Sequence, residues 1–200
     1  MENNLFPNLN MIQTDLNTEL YFENLKSVFD SMAKGYDIIA GHYGFDCKGC
    51  TDSCCLTLFY HHTLLECLYL KEGLKTLDQD LLKEVKIKSE SQIMALKNHN
   101  SKEPFRKMCP LNFDGLCVLY EYRPMICRLH GVCHELRKPG QEPLRGPGCE
   151  QFTELSNEKK YLPLDRTPFY IELANLERGL REEAAINQRI KMTIAEIILD

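Results

Sequence analysis

Between Cys47 and Cys55 the chain reads CKGCTDSCC, four thiols within nine residues at the spacing C-x2-C-x3-C-C. Four side chains this close together cannot all turn into one apolar core. A soft cation asks for such a donor set. A C-x2-C pair lets one tight turn present two sulfurs to one ion, and Gly49 supplies the backbone freedom for it. Neighbouring residues point apart on a helix or a strand, so Cys54 and Cys55 tend to serve two ions or two corners of a polynuclear cluster.

The chain has ten cysteines in 200 residues. In a secreted chain an even count suggests disulfides. The opening MENNLFPNLN has neither the basic n-region nor the apolar h-region of a signal peptide. The expected compartment is therefore the reducing cytoplasm, where clustered cysteines favour metal or redox chemistry. Adjacent Cys54 and Cys55 also fit disulfides poorly, because neighbours cannot bridge each other without backbone strain. A net charge of −5 with no basic run argues against nucleic acid as a partner. No stretch approaches the roughly 20 apolar residues of a membrane span.

The remaining pattern predicts a mainly α fold. A single domain would hold a loop-rich, cysteine-rich metal-binding core clamped between N- and C-terminal helices. Residues 1–18 read as a loose arm, 19–166 as the cysteine-cluster domain, and 167–200 as a helical extension packing on it. From Glu19 to about His42, Tyr21, Leu25, Val28, Phe29, Met32 and Tyr36 recur at helical spacing, with Thr18 as N-cap and Gly41 and Gly44 at the end. The run LTLFYHH after Cys55 reads as a strand or an extended entry. Thr63 opens a helix closed by Gly73, with Cys67 inside it as a buried structural thiol. Asp78 to about Asn98 predicts a charged outer helix. From Asn100 to Phe152 helical periodicity is lost, and Pro139, Gly140, Pro143, Gly146, Pro147 and Gly148 mark a long loop. Thr167-Pro168 starts a C-terminal helix of roughly thirty residues, long for a globular helix. Gly179 offers it a kink, and Ile186, Ile190, Ile194 and Ile197 continue its stripe on a shifted phase. Its ordinary role is to cover the domain; a protein partner or homodimer contact is the alternative.

The second cysteine block reads CPLNFDGLCVLYEYRPMICRLHGVC, from Cys109 to Cys133. Asn112 to Gly115 predicts a turn between two extended pieces, which would bring Cys109 and Cys117 close as a hairpin does. Cys149 follows in GPGC, where glycine lets the backbone approach an ion. CKGCTDSCC followed by CPL…GLCVLYEYRPMICR resembles the YkgJ-type cysteine-cluster family, described as zinc- or iron-chelating proteins, over roughly residues 45–150. The resemblance implies eight metal ligands: Cys47, Cys50, Cys54, Cys55, Cys109, Cys117, Cys127 and Cys149, with Cys133 competing for the last place. The family's R-P-x-x-C-R element falls on Arg123, Pro124, Cys127 and Arg128. The C-x3-C-C spacing is one residue longer than the family's shortest form. The resemblance carries no established reaction.

Eight thiolates divide into two four-coordinate sites, which with two zinc ions would carry a formal charge of about −4. Arg123 and Arg128 are candidates to compensate it, whereas Lys48 reads as surface. Thiolate sets suit both zinc and iron–sulfur clusters. The run differs from the ferredoxin pattern C-x2-C-x2-C-x3-C-P, which favours zinc. Closed four-cysteine zinc sites are structural, so zinc implies a structural or adaptor role. The alternative is an iron–sulfur redox protein or accessory subunit, and a third reading is a transferase-type enzyme using the metal site. His130 is a further ligand candidate; His61 and His62 read as polar surface, and Tyr120 and Tyr122 as core and rim. There is no local Ser/His/Asp signature, phosphate loop or dinucleotide fingerprint.

Overall fold

The computed structural model describes residues 9, 16–47, 54–100, 102–156 and 159–200. These fall into two units. The first takes residues 9, 16–22, 55–124 and 177–200; the second takes the described residues of 23–54 and 125–176. The chain is mainly helical, as its pattern predicts, with short strands between the helices. Among the described residues no helix is long and apolar enough to cross a membrane.

The first unit is built around α2 (Leu64–Leu74). Leu64, Leu65, Cys67, Leu68 and Leu70 are fully buried, and even Glu66 and Lys71 are only 7% exposed. A helix buried on every side needs its terminal N–H groups satisfied from within the protein. The carboxylate of Glu177 does this, accepting the N–H of Leu64 at 2.7 Å and of Leu65 at 2.9 Å. Thr63 occupies the predicted N-cap position, yet its side chain makes no cap bond and donates instead to Glu66. At the other end, the helix continues through Gly73 to Leu74. Gly73 is there for close approach rather than termination: a Cβ on it would lie 2.5 Å from the Tyr122 ring. Tyr122 in turn stacks on Tyr69 at 4.9 Å.

The predicted helix after Asp78 is α3 (Gln79–Lys97), capped by the Asp78 side chain, which accepts the Leu81 N–H at 2.8 Å. Its buried stripe is Val85, Ser89 and Gln92, at i, i+4 and i+7. Before α2, the LTLFYHH run leaves a 3-10 turn at Leu56 and forms two isolated antiparallel bridges, Thr57 to Arg106 and His61 to Met192.

The single long C-terminal helix is corrected. Helix α6 (Thr167–Glu183) stops, and a separate α7 (Ile194–Leu199) packs on α2 and α3. The break lies at Ala184–Ala185, not at Gly179. The Ile186 N–H reaches the Arg181 carbonyl at 3.0 Å and the Ala185 N–H reaches that of Glu182 at 3.3 Å, with Ala185 left-handed at φ 53°. This is a Schellman stop with alanine where glycine is usual. Thr193 and Glu196 then form a capping box that restarts the helix. Leu9, within the expected arm, is fully buried, and its N–H donates to Asp200 at 2.7 Å; residues 1–8 and 10–15 lie outside the described residues.

The second unit holds most of α1 (Glu19–Tyr43), which matches the predicted helix. Leu25, Val28, Phe29 and Met32 form its buried stripe, as the spacing requires. Gly44, left-handed at φ 64°, ends it: the Phe45 N–H bonds the Ala40 carbonyl at 2.8 Å. Gly41 stays inside the helix. Tyr43 and Phe45 pack edge-on against buried Phe152, at 4.7 and 5.3 Å.

The segment predicted as one long loop contains a strand, β4 (Leu144–Gly146), antiparallel to β3 (His134–Leu136). β3 also pairs in parallel with β5 (Leu164–Asp165). One face of this small sheet buries the Glu135 carboxylate, which receives Arg137 at 3.0 Å and Arg145 at 3.1 Å. Helix α4 (Met125–Arg128) and helix α5 (Glu150–Ser156) flank the sheet in sequence.

Two substitutions test these backbone arguments. Gly73→Ala should lower stability by about 1–3 kcal/mol in urea titration, because the methyl group overpacks against Tyr122 by more than helix propensity returns. Ala185→Gly should raise it by up to about 1 kcal/mol, because glycine carries no left-handed penalty.

Candidate metal centre

The cysteines divide between the units. In the first, the predicted turn after Asn112 forms: β1 (Asn112–Phe113) pairs with β2 (Leu116–Cys117), Asn112 opposite Cys117. Asp114 at φ 50° and Gly115 at φ 83° make the two-residue link with both residues left-handed. The Asn112 side chain accepts the Gly115 N–H at 3.2 Å, and the Asn112 N–H bonds the Cys109 carbonyl at 3.0 Å. Cys109 therefore sits at the foot of the hairpin that carries Cys117.

Helix α3 holds the approach to that hairpin. The Gln92 amide donates to the carbonyls of Lys107 and Met108, both at 3.3 Å. Lys107 Nζ reaches back to the Ser91 carbonyl at 2.8 Å. Lys88 lies over the Phe113 ring at 3.3 Å. These contacts present the Cys109 N–H to the carbonyl of Cys55, at 2.7 Å. Cys55 stands in a short 3-10 turn, Cys54–Leu56.

Three thiols from the two cysteine blocks thus converge in one unit. The Cys109 thiol is pushed up to about 12, chiefly by burial, with the neighbouring Cys55 and Cys117 thiols adding to the rise and a hydrogen bond at Leu111 opposing it. A cation would reverse that balance, since opposite charge favours thiolate. The donor chemistry fits a soft metal. The arrangement is a convergence, not a finished coordination sphere: among the described residues, no three His, Cys, Asp or Glu side chains stand where they would hold one ion. The expected cysteine-rich metal core is corrected to this extent.

The physical reason lies in where the other cysteines went. Cys67 is fully buried in α2, its thiol driven far above its ordinary range by burial, as a structural thiol should be. In the second unit, Cys47 is exposed, Cys54 and Cys127 are half-buried, and Cys149 is 6% exposed. Cys133 is 4% exposed and hydrogen-bonds the Tyr43 hydroxyl at 3.8 Å and the Leu162 carbonyl at 3.5 Å. The Cys149 N–H bonds the Gly131 carbonyl at 2.8 Å. Gly148, at φ 95°, is required there: a Cβ would lie 2.4 Å from that same carbonyl. So the GPGC glycine admits the backbone of Gly131. None of the nine described cysteines is in a disulfide. Cys50, Lys48 and Gly49 lie outside the described residues.

The arginines are placed as follows. Arg123 folds over the Tyr120 ring at 3.4 Å and donates to the Tyr120 carbonyl at 2.9 Å, in the unit that holds the three thiols. Arg128 lies over the Phe29 ring at 4.0 Å in the second unit. His130 is half-buried in the second unit.

His61 overturns its expected surface position. It is 3% exposed, its N–H and carbonyl both pair with Met192, at 2.7 and 3.1 Å, and burial lowers it to about 4, with His62 adding repulsion. His62 keeps a bond from its ring to the Ile190 carbonyl at 3.1 Å. The signal for this was absent from the motif itself, because its partner is the distant segment that holds Ile190 and Met192.

The lowered His61 value has a signed consequence. The folded form refuses a proton that the unfolded chain takes up, so stability is full above pH 6.5 and falls as pH drops toward 4. The loss should amount to at most about 3 kcal/mol, and urea midpoints from pH 7 to 4.5 should fall more steeply for the native chain than for His61→Gln. No protein-family model, curated protein or solved structure matches this chain.

Proposed function

We propose that this chain is a metal-chelating protein that binds zinc through clustered cysteines, with the ion in a structural or adaptor role. One observation carries the reading: Cys55, from the first cysteine block, meets Cys109 and Cys117, from the second, within one unit. No packing need explains three thiols there. Leucine or valine would fill the same volume, so packing alone does not ask for thiols there. Zinc, when bound, supplies the positive charge that lets neighbouring thiolates lie side by side.

In this reading Cys55, Cys109 and Cys117 are the centre of the donor set. A backbone hydrogen bond, from the Cys109 N–H to the Cys55 carbonyl, brings the second block to the first. Arg123, fixed over Tyr120 in the same unit, is the candidate for offsetting surplus negative charge. Cys47, Cys50, Cys54, Cys127 and Cys149 are proposed as further ligands on the two-block pattern alone. That same pattern is the ground for proposing membership of the YkgJ-type cysteine-cluster family.

Elemental analysis of the anaerobically purified full chain tests this. At least one zinc per chain is expected, and less than one metal of any kind refutes chelation. Cys109→Ser and Cys117→Ser should each lose zinc, while Cys67→Ala, remote in role, should keep it. Iron with acid-labile sulfide in a brown protein would replace zinc by an iron–sulfur cluster on the same thiols.

A further inference from the structure

Arg166, in the second unit, is only 5% exposed, yet among the described residues no carboxylate pairs with it. One guanidinium nitrogen, Nη2, donates to the Leu129 carbonyl, while the buried Nε has no hydrogen-bond partner. Burial pushes the guanidinium below its ordinary value, and only Tyr170 and Tyr36 act against that. A phenol carries no charge at neutral pH, so neither ring supplies a counter-ion. Buried charges are normally paired, because taking one out of water is costly.

The small sheet explains the missing partner. Side chains alternate along a strand, and directly paired residues share a face. Glu135 is paired with Arg145 on one side and Asp165 on the other, and Arg137 follows two residues along β3. Glu135 receives both arginines, and Arg137 also meets Asp165 at 3.6 Å, so both carboxylates are engaged on that face. The Arg166 N–H bonds the Glu135 carbonyl at 2.9 Å and continues the ladder past β5. Alternation therefore carries Arg166 to the opposite face, with Leu164 and His134. There the His134 ring lies against Gly146, where a Cβ would run into it. His134 is held below its ordinary value, first by burial and then by Arg166, with the Val132 carbonyl opposing and His130 adding repulsion. This face thus gathers basic groups, and no carboxylate among the described residues acts on Arg166 or His134. The Arg166 carbonyl also accepts the Tyr170 N–H at 3.1 Å, which sets Arg166 at the N-terminus of α6. That end of a helix favours an anion and disfavours a cation.

We propose that the missing counter-charge is a small oxyanion of the phosphate type, held by the Arg166 guanidinium with His134 as second donor. The Arg166 Nε–H, unused by the protein, donates to one oxygen of the anion. A phosphate brings several acceptor oxygens and more than one negative charge at neutral pH, which suits a guanidinium and an imidazole together. His134 is half-buried and Tyr170 is 38% exposed, so solvent reaches the edge of this cluster. The proposal is independent of the zinc reading.

The full chain as purified, dialysed free of phosphate, is titrated with inorganic phosphate in a calorimeter, and its thermal unfolding is followed with and without phosphate. Saturable binding at one site and a rising unfolding temperature are expected. Arg166→Met removes the charge and keeps a long side chain. Without phosphate this variant should be no less stable than the native chain; with phosphate the native chain should become the more stable. His134→Ala should weaken phosphate binding about tenfold, whereas Arg145→Gln, on the opposite face, should leave it unchanged. Absence of phosphate binding overturns the proposal. So does a native chain that exceeds Arg166→Met by the same margin in both buffers. Should Arg166→Met fail to fold, the other two variants decide: phosphate affinity unchanged in His134→Ala, or lost in Arg145→Gln, overturns the site.

Discussion

One backbone hydrogen bond joins the two cysteine-bearing stretches of the chain: the Cys109 N–H to the Cys55 carbonyl. Everything that supports it is polar and directional. Gln92 and Lys107 tie the approach to α3, the turn at Asp114–Gly115 folds Cys117 back, and Asn112 closes the foot of the hairpin. Hydrogen bonds contribute little net stability each, yet leaving one unmade in a buried place is costly. That asymmetry makes the arrangement specific. The hairpin is too short to persist alone in water, so its position depends on α3.

The first unit is equally dependent on a carboxylate. Helix α2 has almost no exposed surface, and its first N–H groups would be orphaned without Glu177. Glu177 is itself held by Arg181, whose guanidinium also donates to the Gln188 carbonyl at 2.7 Å, beyond the end of α6. The residue that caps one helix is thereby linked to the segment where another stops. Glu135 plays a comparable part in the second unit, buried and received by two arginines. In each case a charge is out of water only because donors surround it.

Much of the local structure was legible from residue order. The 3.6-residue stripe of α1, the helix after Asp78 and the Asn112–Gly115 turn all follow from short-range rules, and each forms. The errors fall where distant partners decide. Leu144–Gly146 reads as loop because prolines flank it, but its pairing with His134–Leu136 makes it a strand. Gly73 reads as a helix stop because nothing nearby in sequence announces the Tyr122 ring. The C-terminal stripe reads as one helix because the isoleucines keep near-helical spacing through the break; the Thr193-x-x-Glu196 capping box was a visible sign of the restart that periodicity masked.

Residue order by itself determined the helical class, the hairpin that carries Cys117, and the abundance of soft sulfur donors, because these depend on periodicity, turn preferences and side-chain chemistry within a few residues. Only the tertiary structure decided which thiols meet, that Cys133 is enclosed in packing, that His61 is buried, and that β4 is a strand. Those outcomes turn on backbone pairing and burial between segments far apart in the chain, which no local rule encodes.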